Sequence, residues 1–96
     1  MNDAMKTIPD SYNQAGHVMQ LVKREGMAVM FKAIGTDYWE IHWIRVSPSE
    51  SIRGREYPER EILCGNEAFG EYGWACVTED RAEGRFSGAL ALIAHS

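Results

Sequence analysis

The stretch "DSYNQAGHVMQLVKREG", residues 10–26, decides how this chain is read. Tyr12, Ala15, Met19 and Val22 recur three and four apart, with Val18 beside them, which is one apolar stripe at helical spacing. Asp10 or Ser11 can cap the start by accepting a backbone N–H. Lys23 and Arg24 fall in the last turn, where the helix dipole favours cations, and Gly26 suits a left-handed stop. This spacing predicts an N-terminal helix, with residues 1–10 as a flexible lead-in and 11–96 as one domain.

Working outward, "MAVMFKAI" and "YWEIHWIRV" are rich in β-branched and aromatic residues and are joined by a short segment containing Gly35. They predict a β-hairpin. Trp39, Ile41 and Trp43 alternate onto one face, which is assigned to the core. Tyr38, Glu40, His42, Ile44 and Val46 alternate onto the other, which is mixed and expected to be half exposed. "SPSESIRGREYPER" reads as a polar loop broken by Pro48, Gly54 and Pro58. "EREILC" and "WACVT" read as third and fourth strands. Thr78 caps a C-terminal helix with Glu79 and Asp80 in its first turn. Ala82, Phe86, Ala89, Leu90 and Ile93 form its inner stripe. Gly84 and Gly88, four apart, would let another backbone approach that helix. The predicted fold is therefore α+β, a four-stranded antiparallel sheet with two helices on one face in the order α-β-β-β-β-α. The tail "ALALIA" is apolar all round and asks for cover on two sides, which predicts a homodimer through the C-terminal helix.

The 96 residues carry a net charge of −4, unevenly spread. Residues 1–49 are neutral, whereas residues 50–83 hold nine acids against four bases. An acidic surface disfavours phosphate backbones and favours basic partners. No stretch is long and apolar enough to span a membrane and no secretory signal is evident, so the expected setting is cytoplasmic, with Cys64 and Cys76 reduced. The two cysteines and three histidines lack close ligand spacing, so neither a metal nor a cofactor is expected. No nucleophile, base and acid are grouped, and an enzyme is not expected. "GNEAFGEYGW", residues 65–74, has glycines but no following Lys-Ser or Lys-Thr. Glu67 and Glu71 would repel a phosphate there. Phe69 and Trp74 read as anchors, and Gly65, Gly70 and Gly73 as turn residues.

Loop aromatics beside charges are common material for protein contacts. The candidate binding residues are Glu56, Tyr57, Glu59, Glu67, Glu71 and Tyr72, with Glu61 on the same acidic face. Arg53, Arg55 and Arg60 with Tyr57 offer the alternative of a small nucleic-acid-binding regulator, although Glu56, Glu59 and Glu61 interleave with them. From "REYPEREILCGNEAFGEYGW" through "TEDRAEGRF" the chain resembles small proteins carried by bacterial phages and other mobile elements. The resemblance implies an accessory protein that binds a host protein. By analogy in size and charge it suggests an anti-CRISPR-type inhibitor, whose acidic face would compete for a nucleic-acid-binding surface.

Overall fold

A computed structural model of the protein describes residues 7–63 and 69–95. Residues 10–26 are not a helix. They form two antiparallel strands, β1 (Ser11–Gln14) and β2 (His17–Glu25), paired from Ser11↔Gln20 to Gln14↔His17. Ala15 and Gly16 make the two-residue turn between them with φ of 51° and 82°. That is the left-handed pair a tight hairpin requires, and its twist matches the strands. Gly26, at φ 60°, is indeed left-handed, but it opens the next hairpin rather than ending a helix. Tyr12, Ala15, Met19 and Val22 thus do not share a face: Met19 is buried while Val22 is exposed.

The chain continues as β3 (Ala28–Ala33) and β4 (Trp39–Trp43), the hairpin expected from the aromatic and β-branched runs. After a long excursion, β9 (Gly73–Cys76) pairs with β4. The result is a five-stranded antiparallel sheet in the order β1-β2-β3-β4-β9. One helix, α1 (Glu79–Ala94), covers one face. Its start is as predicted: the Thr78 side chain accepts a hydrogen bond from Arg81 N–H at 3.2 Å. Ala82, Phe86 and Ala89 are buried against Met30, Trp39, Ile41 and Cys76, with Leu90 and Ile93 alongside. The four-strand, two-helix arrangement is therefore corrected, among the described residues, to a five-stranded main sheet, two small two-stranded ones and one helix. The first "helix" supplies two of the main sheet's strands, and "EREILC" supplies none of them.

The opposite face holds a second core of Met19, Val29, Phe31, Ala33 and Ile44. A bulge in β2 separates the two faces' clients. Leu21 pairs with Phe31 but Lys23 with Met30, leaving Val22 as an extra residue. A single extra residue inverts the alternation beyond it. Lys23 consequently turns to the helix side, where it pairs with Glu83 and lies 4.6 Å from the Phe86 ring centroid. Arg24 turns to the other side.

Between β4 and β9 the segment expected to be a loop folds instead as four short strands. β5 (Arg45–Ser47) pairs with β8 (Arg60–Ile62), and β6 (Glu50–Ile52) pairs with β7 (Arg55–Tyr57). The two ladders share one register, so residues 45–62 make a single hairpin arm. Its tip turn is Arg53–Gly54, again with two positive φ angles, 53° and 79°.

Candidate functional site

The arm is the part of the molecule with least contact to the rest. Every residue from Pro48 to Arg60 is exposed. The root, in contrast, is fixed on both strands. On β5, the Arg45 guanidinium lies 4.4 Å from the Tyr72 ring centroid, and Tyr72 in turn packs 5.2 Å from Trp43. On β8, Glu61 accepts two hydrogen bonds from Arg24, at 2.8 and 2.7 Å, and a third from Ile8 N–H. The Arg24 hydrogen bonds hold the Glu61 carboxyl below its ordinary range against the opposing effect of partial burial. Ile44 and Leu63, flanking the arm, are packed into the second core.

Two prolines shape the middle of the arm. In the shared register Pro48 stands opposite Glu59, and Ser49 opposite Pro58. Proline has no N–H to give a ladder, so pairing lapses between the two short ladders. An open groove of about 670 Å³ forms there, with Glu50, Glu56, Tyr57, Pro58 and Glu59 in its lining. Within β6 and β7, Glu50, Ile52, Arg55 and Tyr57 share one face, while Ser51 and Glu56 share the other. Ile52 and Tyr57 remain 47% and 37% exposed. None of the arm's six charged residues from Glu50 to Arg60 makes an ion pair among the described residues.

The sequence-predicted residues thus separate. Glu56, Tyr57 and Glu59 come together in the groove, joined by Glu50. Tyr72 belongs to the arm's root, where it packs on Trp43 and Arg45. Glu71 is exposed beside it, and Glu67 lies outside the described residues. Glu61 is occupied by Arg24. The arginines are dispersed along the arm: Arg53 in the tip turn, Arg55 on the Tyr57 face of β7, and Arg60 in β8 at the root.

Glu40 and His42, which their alternation puts side by side on one strand face as a hydrogen-bonded pair, are the centre of a larger polar cluster under the sheet's second face. Glu40 and His42 are buried, at 0% and 2% exposure, not half exposed. Glu40 Oε1 accepts from Tyr12 Oη at 2.9 Å and faces His42 Nε2 at 2.9 Å. Glu40 Oε2 accepts from Tyr38 Oη at 2.8 Å and Gln14 Nε2 at 3.1 Å. Tyr12 and Gln14 belong to β1, three strand spacings from β4, or about 14 Å in a flat sheet. Contact at hydrogen-bond distance requires the sheet to curl, and the β2 bulge supplies a bend. The alternation Tyr38, Glu40, His42 was visible in the sequence. Its partners were hidden by the helical reading of residues 10–26.

Burial alone would raise the Glu40 carboxyl, but the hydrogen bonds from His42, Tyr38 and Tyr12 outweigh it and hold it below its ordinary value. Burial first, then the Glu40 carboxylate, push Tyr38 up to about 12. The signs give opposite limbs of stability. Glu40 is lower folded than unfolded, so its contribution is complete above about pH 4.3 and is lost as pH falls through the folded value. Tyr38 is higher folded than unfolded, so its contribution is present below about pH 10 and is lost as pH rises towards 12. Urea midpoints measured against pH should therefore show a plateau with two shoulders. Tyr38→Phe should flatten the alkaline shoulder; an unchanged shoulder would contradict the assignment.

Comparison with known protein families, with curated proteins and with solved structures found no match to this chain. No helix among the described residues is long and apolar enough to cross a membrane.

Proposed function

We propose that this chain is a non-enzymatic binding protein that grips a basic segment of a partner protein with the hairpin arm of residues 45–62. The observation carrying this reading is the arm itself. Thirteen consecutive exposed residues are held in a defined hairpin on a fixed root, with a groove bearing three carboxylates and a tyrosine. Residues 48–60 are exposed throughout, so a partner has the length of the arm to bury. Glu50 and Glu59, on the Tyr57 side, suit a lysine or arginine side chain to which the Tyr57 ring adds a cation–π surface, and Glu56 on the other side suits a second. Basic surfaces of that kind are characteristic of nucleic-acid-binding proteins. Together with the resemblance to mobile-element proteins, this supports an accessory protein of anti-CRISPR type that competes for such a surface.

The tip favours a second reading. A two-stranded ribbon fits the major groove of DNA, and Arg53 and Arg55 sit at or beside the turn. The charges of residues 48–60 cancel, which weakens that reading. The test is affinity capture of a host protein, followed by titration with that purified protein. Glu50→Lys, Glu56→Lys and Glu59→Lys combined should reduce affinity by about 1,000-fold, as expected when two hot-spot-sized contacts of about 2 kcal/mol are lost. Arg53→Ala with Arg55→Ala should leave it within a few-fold. The converse pattern, with salt-dependent retardation of labelled DNA or RNA, would establish the nucleic-acid reading instead.

A further inference from the structure

We propose that the free edge of β9, with the flank of α1 beside it, binds an extended acidic segment of a partner protein as an added strand. The inference is independent of the arm.

Among the described residues β9 is the last strand of the sheet on one side, and Phe69 bridges Gly73 at the start of that outer edge. Trp43 N–H donates to Tyr72 C=O at 2.9 Å, so by antiparallel alternation residues 72, 74 and 76 bond to β4 while 73 and 75 turn outward. The Gly73 carbonyl is already taken by Gly70 N–H at 2.6 Å. Among the described residues the Ala75 N–H and C=O therefore face outward without a partner on an exposed stretch of edge. Between this edge and α1 runs a groove of about 630 Å³, with Trp74, Ala75, Val77, Arg81, Gly84 and Arg85 in its lining. Its half-buried aromatic floor is Trp74, and the Arg85 guanidinium lies 5.4 Å from that ring's centroid.

Charge selects the occupant. Among the described residues the groove lining holds two arginines and no acid, in a chain whose net charge is −4. Neither Arg81 nor Arg85 makes an ion pair among the described residues. For a strand laid along α1, the rise of about 6 Å over four helical residues is close to the roughly 6.7 Å between alternate residues of a strand. The preferred segment is thus acidic at two positions separated by one residue. Gly84, between the arginines, and Gly88, one turn on, agree with this. A Cβ at either would meet nothing within 4 Å, so the protein's own packing does not demand glycine there. Glycine does let a foreign chain approach the helix closely. Edge pairing and flanking side-chain contacts of this kind are an established way for proteins to take up extended peptides.

The test is fluorescence anisotropy with two labelled peptides, Val-Glu-Val-Glu-Val and Val-Lys-Val-Lys-Val, and hydrogen exchange at the Ala75 amide. The glutamate peptide should bind at least tenfold more tightly than the lysine peptide and should protect Ala75 N–H. Arg81→Gln with Arg85→Gln should abolish that preference. Gly84→Ala should raise the urea midpoint, because alanine favours the helix, while weakening the peptide by several-fold. That opposite movement separates a binding role from a structural one. Equal binding of both peptides, an unprotected Ala75 amide, or preferential binding of a labelled single-stranded oligonucleotide would overturn the proposal. So would a dimer in sedimentation that Arg81→Glu dissociates, since the groove would then serve a second copy of the chain.

Discussion

Glu40→Ala is expected to destabilise the protein by about 3–5 kcal/mol, because several donors lose an acceptor at a largely buried site and each such loss costs about 1–3 kcal/mol. The carboxylate offers about four acceptor positions and has four neighbouring donors, two on each oxygen. Removing it takes one acceptor from each of two tyrosine hydroxyls, an amide and an imidazole at a partly buried site. It also releases β1 from β4, so the curl of the sheet loses its polar tie. Glu40→Gln should cost less, because the carbonyl keeps one side of the network, yet its amide faces donors with a donor. Urea denaturation midpoints at pH 7 give the comparison. A Glu40→Ala loss under about 1 kcal/mol would mean that the cluster is hydrated and does not hold the sheet.

Phe31→Ala should cost a similar amount, about 3–5 kcal/mol, for a different reason. Phe31 is fully buried at the centre of the second core. Its ring stands edge-on to Tyr12 at 4.9 Å and to His42 at 6.3 Å. Truncation removes the transfer energy of the ring and leaves a cavity beneath the polar network. Phe31→Leu should be milder, at about 1–2 kcal/mol, because most of the volume is kept. Since Phe31 touches two members of the Glu40 network, Phe31→Ala and Glu40→Ala should not be additive. Additive losses in the double variant would show that core and network act separately.

The sequence displayed some of this fold and concealed the rest. The β3–β4 hairpin was legible because both strands carry β-branched and aromatic runs around a glycine-containing turn. The start of α1 was legible because Thr78 caps it by chemistry that depends on no distant residue. Residues 10–26 misled because a hairpin turn and a bulge each shift the two-residue alternation. The apolar positions left over happen to fall three and four apart. The arm misled because its prolines do break the ladder, as proline should, but break it in register on both strands. Its turn also places Arg53 at positive φ, which no propensity favours. For the candidate site, Glu56, Tyr57 and Glu59 are neighbours in sequence and stay neighbours in space. Tyr72 could not be assigned to the arm's root without knowing that Arg45 lies over it.

The self-contained ladder of the arm also bears on the order in which the chain organises. Strands β1 to β4 are joined by short turns and can assemble locally. β9 must find β4 across 29 intervening residues. Once the arm has zipped, Ile44 and Leu63 are brought together, and the effective length to be closed falls to roughly ten residues. Closure entropy grows as the logarithm of that length, so the saving is about 1 kcal/mol in the barrier to docking β9 and the helix behind it. The element offered for recognition would then also act during folding, as a splint that shortens the one long-range search the topology requires.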